Sequence, residues 1–309
     1  MRRHHGWPAA VGALVLVLAG CAGGGSGDQD ADTTTSPAET TTSAAAATLD
    51  PLVEQAATEY KTYASRQIDE LVGVVKVFTD AVRTGDLQAA QDAYAPSRVP
   101  WERIEPIAGL VEEIDGKIDA RVDDFEGVDD PEFTGWHRLE YILFEQNTTE
   151  GGAPFADQLD ADVAELQQQF ATVEVKPIDV ANGAAELIEE VSEGKITGEE
   201  NRYGKTDLWD FEANLQGSRD AIDTLSPALA EADPALLGEI DGGINTVFET
   251  MAPLRRGDGW VLFCTENDPY PSPRCPEVTV DPQTIDVLKA ELANLSENMS
   301  QVAGALKLQ

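Results

Sequence analysis

"EYKTYASRQIDELVGVVKVFTDAVRT", residues 59–84, is the stretch whose reading decides the fold. Within it Tyr60, Ala64, Ile68, Leu71, Val75, Phe78 and Val82 recur at steps of three and four residues. That spacing lays one apolar face along an α-helix and does not suit a strand. The helix is expected to end at Thr84-Gly85-Asp86, with a shorter one following through Tyr94 and a turn marked by Pro96 and Pro100. Ile107, Leu110, Val111, Ile114, Ile118, Val122 and Phe125 form the next long stripe, closed by Gly127 and Pro131. Thr134 is placed to N-cap a helix running to Phe144.

Outward from there the pattern stays helical, with helices expected near 155–173, 178–194, 205–232, 234–256 and 282–306. Only the short "WVLF" at 260–263 reads as a strand. The expectation is an all-α protein of two helical bundles, 49–150 and 151–309, divided near Gly151-Gly152.

The chain has 309 residues and 42% hydrophobic content, enough for a proper core. Its 21 Lys+Arg against 57 Asp+Glu give a net charge of −36. Such a surface repels nucleic acid and enriches cations around itself. Arg2 and Arg3 followed by the short apolar run 9–19 read as an export signal, residues 1–20. Leu18-Ala19-Gly20-Cys21 resembles a bacterial lipobox, which makes Cys21 the expected lipidation site and first mature residue. Loss of the two arginines leaves 19 Lys+Arg against 57 Asp+Glu, a charge of −38 on an anchored extracytoplasmic protein. Residues 21–48, rich in Gly, Ser, Thr and Ala, read as a flexible tether, because they offer too little apolar surface to offset their ordering entropy.

Cys264 and Cys275 lie in a Pro-rich loop with no His or further Cys nearby, so a disulfide is expected rather than a metal site. Closing that loop would stabilise the fold by roughly 3 kcal/mol on the chain-entropy estimate.

The candidate chemistry centres on "GWHRLEYILF", residues 135–144. Gly135, His137 and Glu140 form a G-x-H-x-x-E string, and with His4 and His5 removed His137 is the one imidazole of the mature chain. Residues at i and i+3 of a helix point the same way, so His137 and Glu140 can face one ion, although an ordinary packed pair has the same spacing. Glu102 and Glu105 in "WERIEP" and Glu199 and Glu200 in "ITGEENRY" supply further carboxylates. "EEIDGKIDARVDD" adds Glu112, Glu113, Asp115, Asp119, Asp123 and Asp124, several of which belong to a solvated face. Glu105 and Asp119 are fourteen residues apart, about 21 Å along a straight helix. They share an ion only if the segment breaks, for which Pro106, Gly109 and Gly116 are the available places; otherwise there are two sites.

The blocks "YAPSRVPWERIEPIAGLVEEIDGKIDARVDDF", "DPEFTGWHRLEYILF" and "NGAAELIEEVSEGKITGEENRYGKTDLWDFEANLQGSRDAID" closely resemble the imelysin family, in its bacterial iron-uptake branch. The resemblance runs from about Pro51 to Leu308 and implies a double four-helix bundle. It also implies a metal set of His137, Glu140, Glu102, Glu105, Asp119 and Glu200, with Glu199 beside it. Asn201 replaces an aspartate that the pattern often carries, and the cysteine-bearing stretch 254–279 departs as a local insertion. Iron, Fe2+ or Fe3+, is implied by the resemblance; the ligand chemistry alone would also take manganese or zinc. A ferrous-iron permease and a haem-type peroxidase are the implied partners. Longer relatives carry a cupredoxin domain where this chain has its tether, so no copper site is expected.

Two other functions compete. A metallopeptidase of the H-E-x-x-H type needs two histidines on one helix turn. A cation-bridged polysaccharide-binding module would want clustered aromatics, whereas Trp101, Trp136, Trp209 and Trp260 are spread along the chain. The run Tyr203, Lys205, Asp207, Trp209 either lines a cleft between bundles or is a helix start capped by Thr206.

Overall fold

The computed structural model describes residues 38–309. The expected leader 1–20, the lipidation residue Cys21 and residues 21–37 of the expected tether lie outside the described residues. Helix α1 is long, Ala38–Thr84. It takes in the end of the expected tether, whose alanines are strong helix formers. Its buried face is the one read from the sequence, from Tyr60 to Val82.

Helix α2 spans Leu87–Glu102, begun by Asp86, whose side chain accepts from Ala89 N. It does not stop at Tyr94 but continues through Pro96 and Pro100. The stripe expected as one long helix is broken into a 3-10 turn Glu105–Val111, helix α3 Glu112–Ile118 and a short turn Val122–Asp124. The breaks fall at Val111 and Asp119, whose φ of −134° and −129° leave the helical region, while Gly116 lies inside α3. Helix α4, Gly135–Glu140, continues as a π turn, Tyr141–Glu145. Thr134 sits at its N-cap position, but its hydroxyl donates to Lys117 O at 3.0 Å instead of capping the helix.

Helices α5 (Ala153–Phe170), α6 (Pro177–Glu193), α7 (Asp207–Ala232), α8 (Pro234–Met251), α9 (Pro282–Ser300) and α10 (Val302–Leu306) follow. The expected strand at 260–263 is reduced to a hairpin, β1 Arg255–Arg256 paired with β2 Gly259–Trp260. The fold is all-α.

Helices α6, α7, α8 and α9 pack as a ring of four. In the other group α1 packs on α2 and α5, and the fourth place is filled by the short α3 and α4. Because α5 packs on α1, α3 and α4, Gly151-Gly152 is a turn inside the first group, and the change of partners comes after Phe170. Helix α7 packs against both α1 and α2, and one apolar cluster runs through both groups. Gly183 of α6 sits so close to Pro106 that an added Cβ would overlap its carbonyl. That contact lets the second group press on the turn that begins at Glu105.

A buried histidine and carboxylate centre

At the junction of the two groups lies Arg98, fully buried on α2. Continuation of α2 past its prolines puts Arg98 and Glu102 at i and i+4, on one face and paired. The guanidinium also pairs with Asp119, with Glu200 at 2.6 Å and with Asp210 at 3.2 Å. Four carboxylates from separate elements therefore converge on one cation, which stacks over Trp136 at 5.5 Å from the ring centre.

His137 enters this cluster from α4. Gly135 starts that helix at φ +74°, and an added Cβ there would overlap the Ile118 carbonyl, so glycine lets α4 begin directly against the end of α3. Asp119, the first residue beyond α3, is thereby set beside His137, Oδ1 to Nε2 3.4 Å, while its other oxygen accepts from Trp101 Nε1 at 2.8 Å. On the far side of the ring Nδ1 lies 3.0 Å from Glu140 Oε2. Glu140 Oε1 accepts from the amides of Tyr203 and Gly204 at 2.8 and 2.7 Å. Both oxygens of Glu140 are thus committed, one of them to the imidazole.

Asp119, His137 and Glu200 each offer one ligand atom, and the three atoms lie within 4.8 Å of one another. One imidazole and two carboxylates make a hard donor set that suits iron or manganese. Glu102 is fully buried nearby, held by Arg98, by Asn214 Nδ2 at 2.9 Å and by Lys195 Nζ at 3.2 Å. Glu105 stands on the other side of Lys195, 2.7 Å from its ammonium, so the broken segment brings Glu105 and Asp119 to opposite sides of one network rather than to one ligand cluster. Glu199 is 28% exposed and 3.6 Å from Arg121, outside the cluster. Glu112 and Glu113 are exposed, Asp123 pairs with Arg202, and Asp124 accepts from Arg121 N at 3.1 Å. Of the run after the loop, Lys205 and Asp207 are buried and Tyr203 stacks edge-on with Tyr141.

Six carboxylates (Glu102, Glu105, Asp119, Glu140, Glu200, Asp210) meet Arg98, Lys195, Arg121 and the imidazole in this network. Negative charge in surplus inside a protein must be relieved by protons or by a cation. The carboxylates divide accordingly. Burial raises Glu102 and Asp210 far above the usual carboxylate range and pushes Glu105 to about 7. Burial would also raise Asp119, but Arg98 and His137 hold it well below that range. Glu200 is likewise held low against burial by Lys195, His137, Arg121 and Arg98. Burial and Arg98 oppose a charge on His137, yet its bonds to Asp119, Glu140 and Glu200 prevail and set it at about 10. Asp119 and Glu200, on the Nε2 side of the ring, are therefore kept ionised.

An open cleft of about 390 Å³ reaches this cluster from solvent, with Asp119, Glu200, Arg121, Asp115 and Glu190 on its walls. Arg121 lies where cleft and buried cluster meet, 2.6 Å from Glu200 Oε2. Sequence reasoning missed Arg98, Lys195, Asp210 and Asn214. A lone arginine four residues before Glu102 was the available signal for Arg98; nothing in the sequence marks the other three.

An all-helical protein with its imidazole and carboxylates gathered between two helix groups is of the imelysin class. The chain belongs to that family: the family model described as imelysin, peptidase M75, matches residues 56–270. The iron uptake system component EfeO of Yersinia pseudotuberculosis serotype I (strain IP32953) is similar to it, 45% identical over 251 residues, 81% of this chain and 63% of that protein. The protein of the same description from Escherichia coli O157:H7 is 43% identical over 254 residues, 82% of this chain and 64% of its own length. The chain spans a little less than two thirds of the curated relatives it matches. No helix among the described residues is long and apolar enough to cross a membrane.

Proposed function

We propose that the protein is the metal-capturing component of an iron-uptake system, anchored outside the cytoplasmic membrane through Cys21. In this role iron is the cargo, bound by Asp119, His137 and Glu200 and passed to a ferrous-iron permease, with a haem-type peroxidase as the other partner. The observation that carries the reading is the buried cluster of those three side chains, with Asp119 and Glu200 kept ionised. The similarity to EfeO proteins supplies the metal and the system.

Glu140 acts here by orienting His137: its carboxylate at Nδ1 leaves Nε2 towards Asp119 and Glu200, an outer-shell role familiar at metal sites. Glu102 and Glu105 share the Lys195 ammonium beside the three ligands and add negative potential there without ligating in this arrangement. Arg98 already holds Asp119 and Glu200, and His137 is protonated without metal, so capture displaces the guanidinium from the two carboxylates and releases the Nε2 proton. Such an exchange lowers affinity and favours release, which suits a carrier. The acidic surface concentrates cations at the cleft. No observation at the site favours peptide hydrolysis, and His137 is the one imidazole among the described residues.

Elemental analysis and titration of the purified chain with ferrous and ferric iron, with manganese and zinc as competitors, test this reading. His137→Ala and Asp119→Asn are expected to lower iron affinity at least tenfold, Glu140→Gln by about 10–100-fold as an outer-shell change. Unchanged isotherms in the first two variants would sink the assignment.

A further inference from the structure

The disulfide between Cys264 and Cys275 closes a loop that packs on one short turn, residues 202–205. Ser272 Oγ donates to Tyr203 O at 3.2 Å, and Arg274 donates to Gly204 O. Phe263 N, at the root of the loop, donates to Lys205 O at 2.8 Å. Asp268 lies 2.6 Å from Lys205 Nζ, a buried ion pair set off the hydrogen-bond direction. Arg202 stacks on Tyr270 at 4.2 Å and Arg274 on Phe144 at 4.5 Å. Lys205 itself has φ +57°, a left-handed conformation that a side-chain-bearing residue keeps only where its surroundings enforce it.

The opposite edge of the same turn serves the histidine. Tyr203 and Gly204 direct their carbonyls to the loop and their amides to Glu140 Oε1. Glu140 Oε2 in turn meets His137 Nδ1 at 3.0 Å. Two adjacent residues thus tie the loop to the imidazole through their backbone, with no other side chain between turn and carboxylate.

We propose that the disulfide-closed loop 264–275 is a strap that positions the metal centre, with Arg274 and Asp268 as positioning residues acting through the 202–205 turn on Glu140 and His137. The proposal deepens the reading of His137 as an iron ligand and rests on it for the metal. A loop that merely stabilised the fold would need none of these contacts to fall on the two residues whose amides hold Glu140.

The test uses the full chain with labelled histidine, reading the His137 imidazole signals by NMR without metal and ferrous-iron affinity by titration. Variants are Cys264→Ser with Cys275→Ser, Arg274→Ala, Arg274→Lys, and Leu292→Ala, a buried α9 residue that makes none of the contacts to the 202–205 turn. The strap predicts shifted His137 signals and affinity about 10–100-fold weaker in the cysteine pair and in Arg274→Ala, with recovery in Arg274→Lys. Leu292→Ala is expected to lower the melting temperature while leaving both readouts unchanged. Wild-type signals and affinity in a folded Arg274→Ala or cysteine-pair protein overturn the strap. Failure of the wild-type chain to bind iron overturns the metal reading instead, and the metal-free His137 signals then decide the strap alone.

Discussion

Arg98 sets the electrostatics of the centre at the scale of single residues. Its removal leaves Glu102, Asp119, Glu200 and Asp210 facing one another without their shared cation. Arg98→Met is expected to destabilise the fold by about 3–5 kcal/mol, the range for breaking a buried pair, read as the loss of denaturant midpoint. The pH dependence follows from the same network. His137, at about 10 despite burial and Arg98, stabilises the fold fully below its ordinary value of 6.5 and loses that contribution as pH climbs through 10. Asp207 and Glu105, raised by burial to about 8 and about 7, suit the fold when protonated, so stability falls as pH rises through 7 and 8. Asp119 and Glu200 are held low and lose their contribution only in strong acid. Metal-free protein should therefore melt highest in mild acid and progressively lower from neutral to alkaline pH, measured by calorimetry across a buffer series. A flat profile would contradict these assignments. His137 was legible because it is nearly alone in the sequence, and Glu102 and Glu200 because of their neighbours. Arg98, flanked by Pro96 and Pro100, reads as a turn residue, and only the continued helix reveals where it points.

Among elements, the segment from Glu105 to Asp119 shows what periodicity can and cannot convey. Ile107, Val111, Ile114 and Ile118 are buried as the stripe requires, and Leu110, Val122 and Phe125 are half-buried, so burial was legible in the main. The place of the break was not: the chain leaves the helical region at Val111 and Asp119 rather than at Gly109 or Gly116, because tertiary contact, such as Gly183 against Pro106, decides where a 3-10 turn gives way to α-helix. The π turn after Glu140 was equally silent, since one extra residue per turn leaves no compositional mark. Gly135 is the sequence feature with the firmest local consequence. Gly135→Ala is expected to cost about 2–4 kcal/mol from a forbidden backbone angle and overlap with Ile118, and to separate Asp119 from His137. A melting temperature within a degree of wild type would refute the close approach.

At the scale of the whole molecule, both groups share one apolar cluster, joined where α7 packs on α1 and α2. The chain is thus expected to unfold in one transition, with coincident midpoints by near-ultraviolet and far-ultraviolet circular dichroism. Two separated midpoints would show independent bundles. The two-bundle character was legible from helix lengths, whereas the membership of α5 was not, because an amphipathic stripe does not name its partner. The net charge of −36 over the full sequence also makes the protein self-repelling at low ionic strength. Raising salt from 10 to 150 mM, which shortens the screening length to about 8 Å, should raise the melting temperature of metal-free protein by a few degrees.

Asp119 from the end of α3, His137 from α4 and Glu200 from the loop before α7 meet only in the finished fold. An unfolded chain has no such cluster, so an ion bound as proposed would bind the native state alone. Each tenfold excess of free ion over the dissociation constant then adds about 1.4 kcal/mol to the stability of the loaded protein. Under the proposed function, surrender of the ion would remove that increment and leave the unloaded protein the more easily unfolded of the two forms.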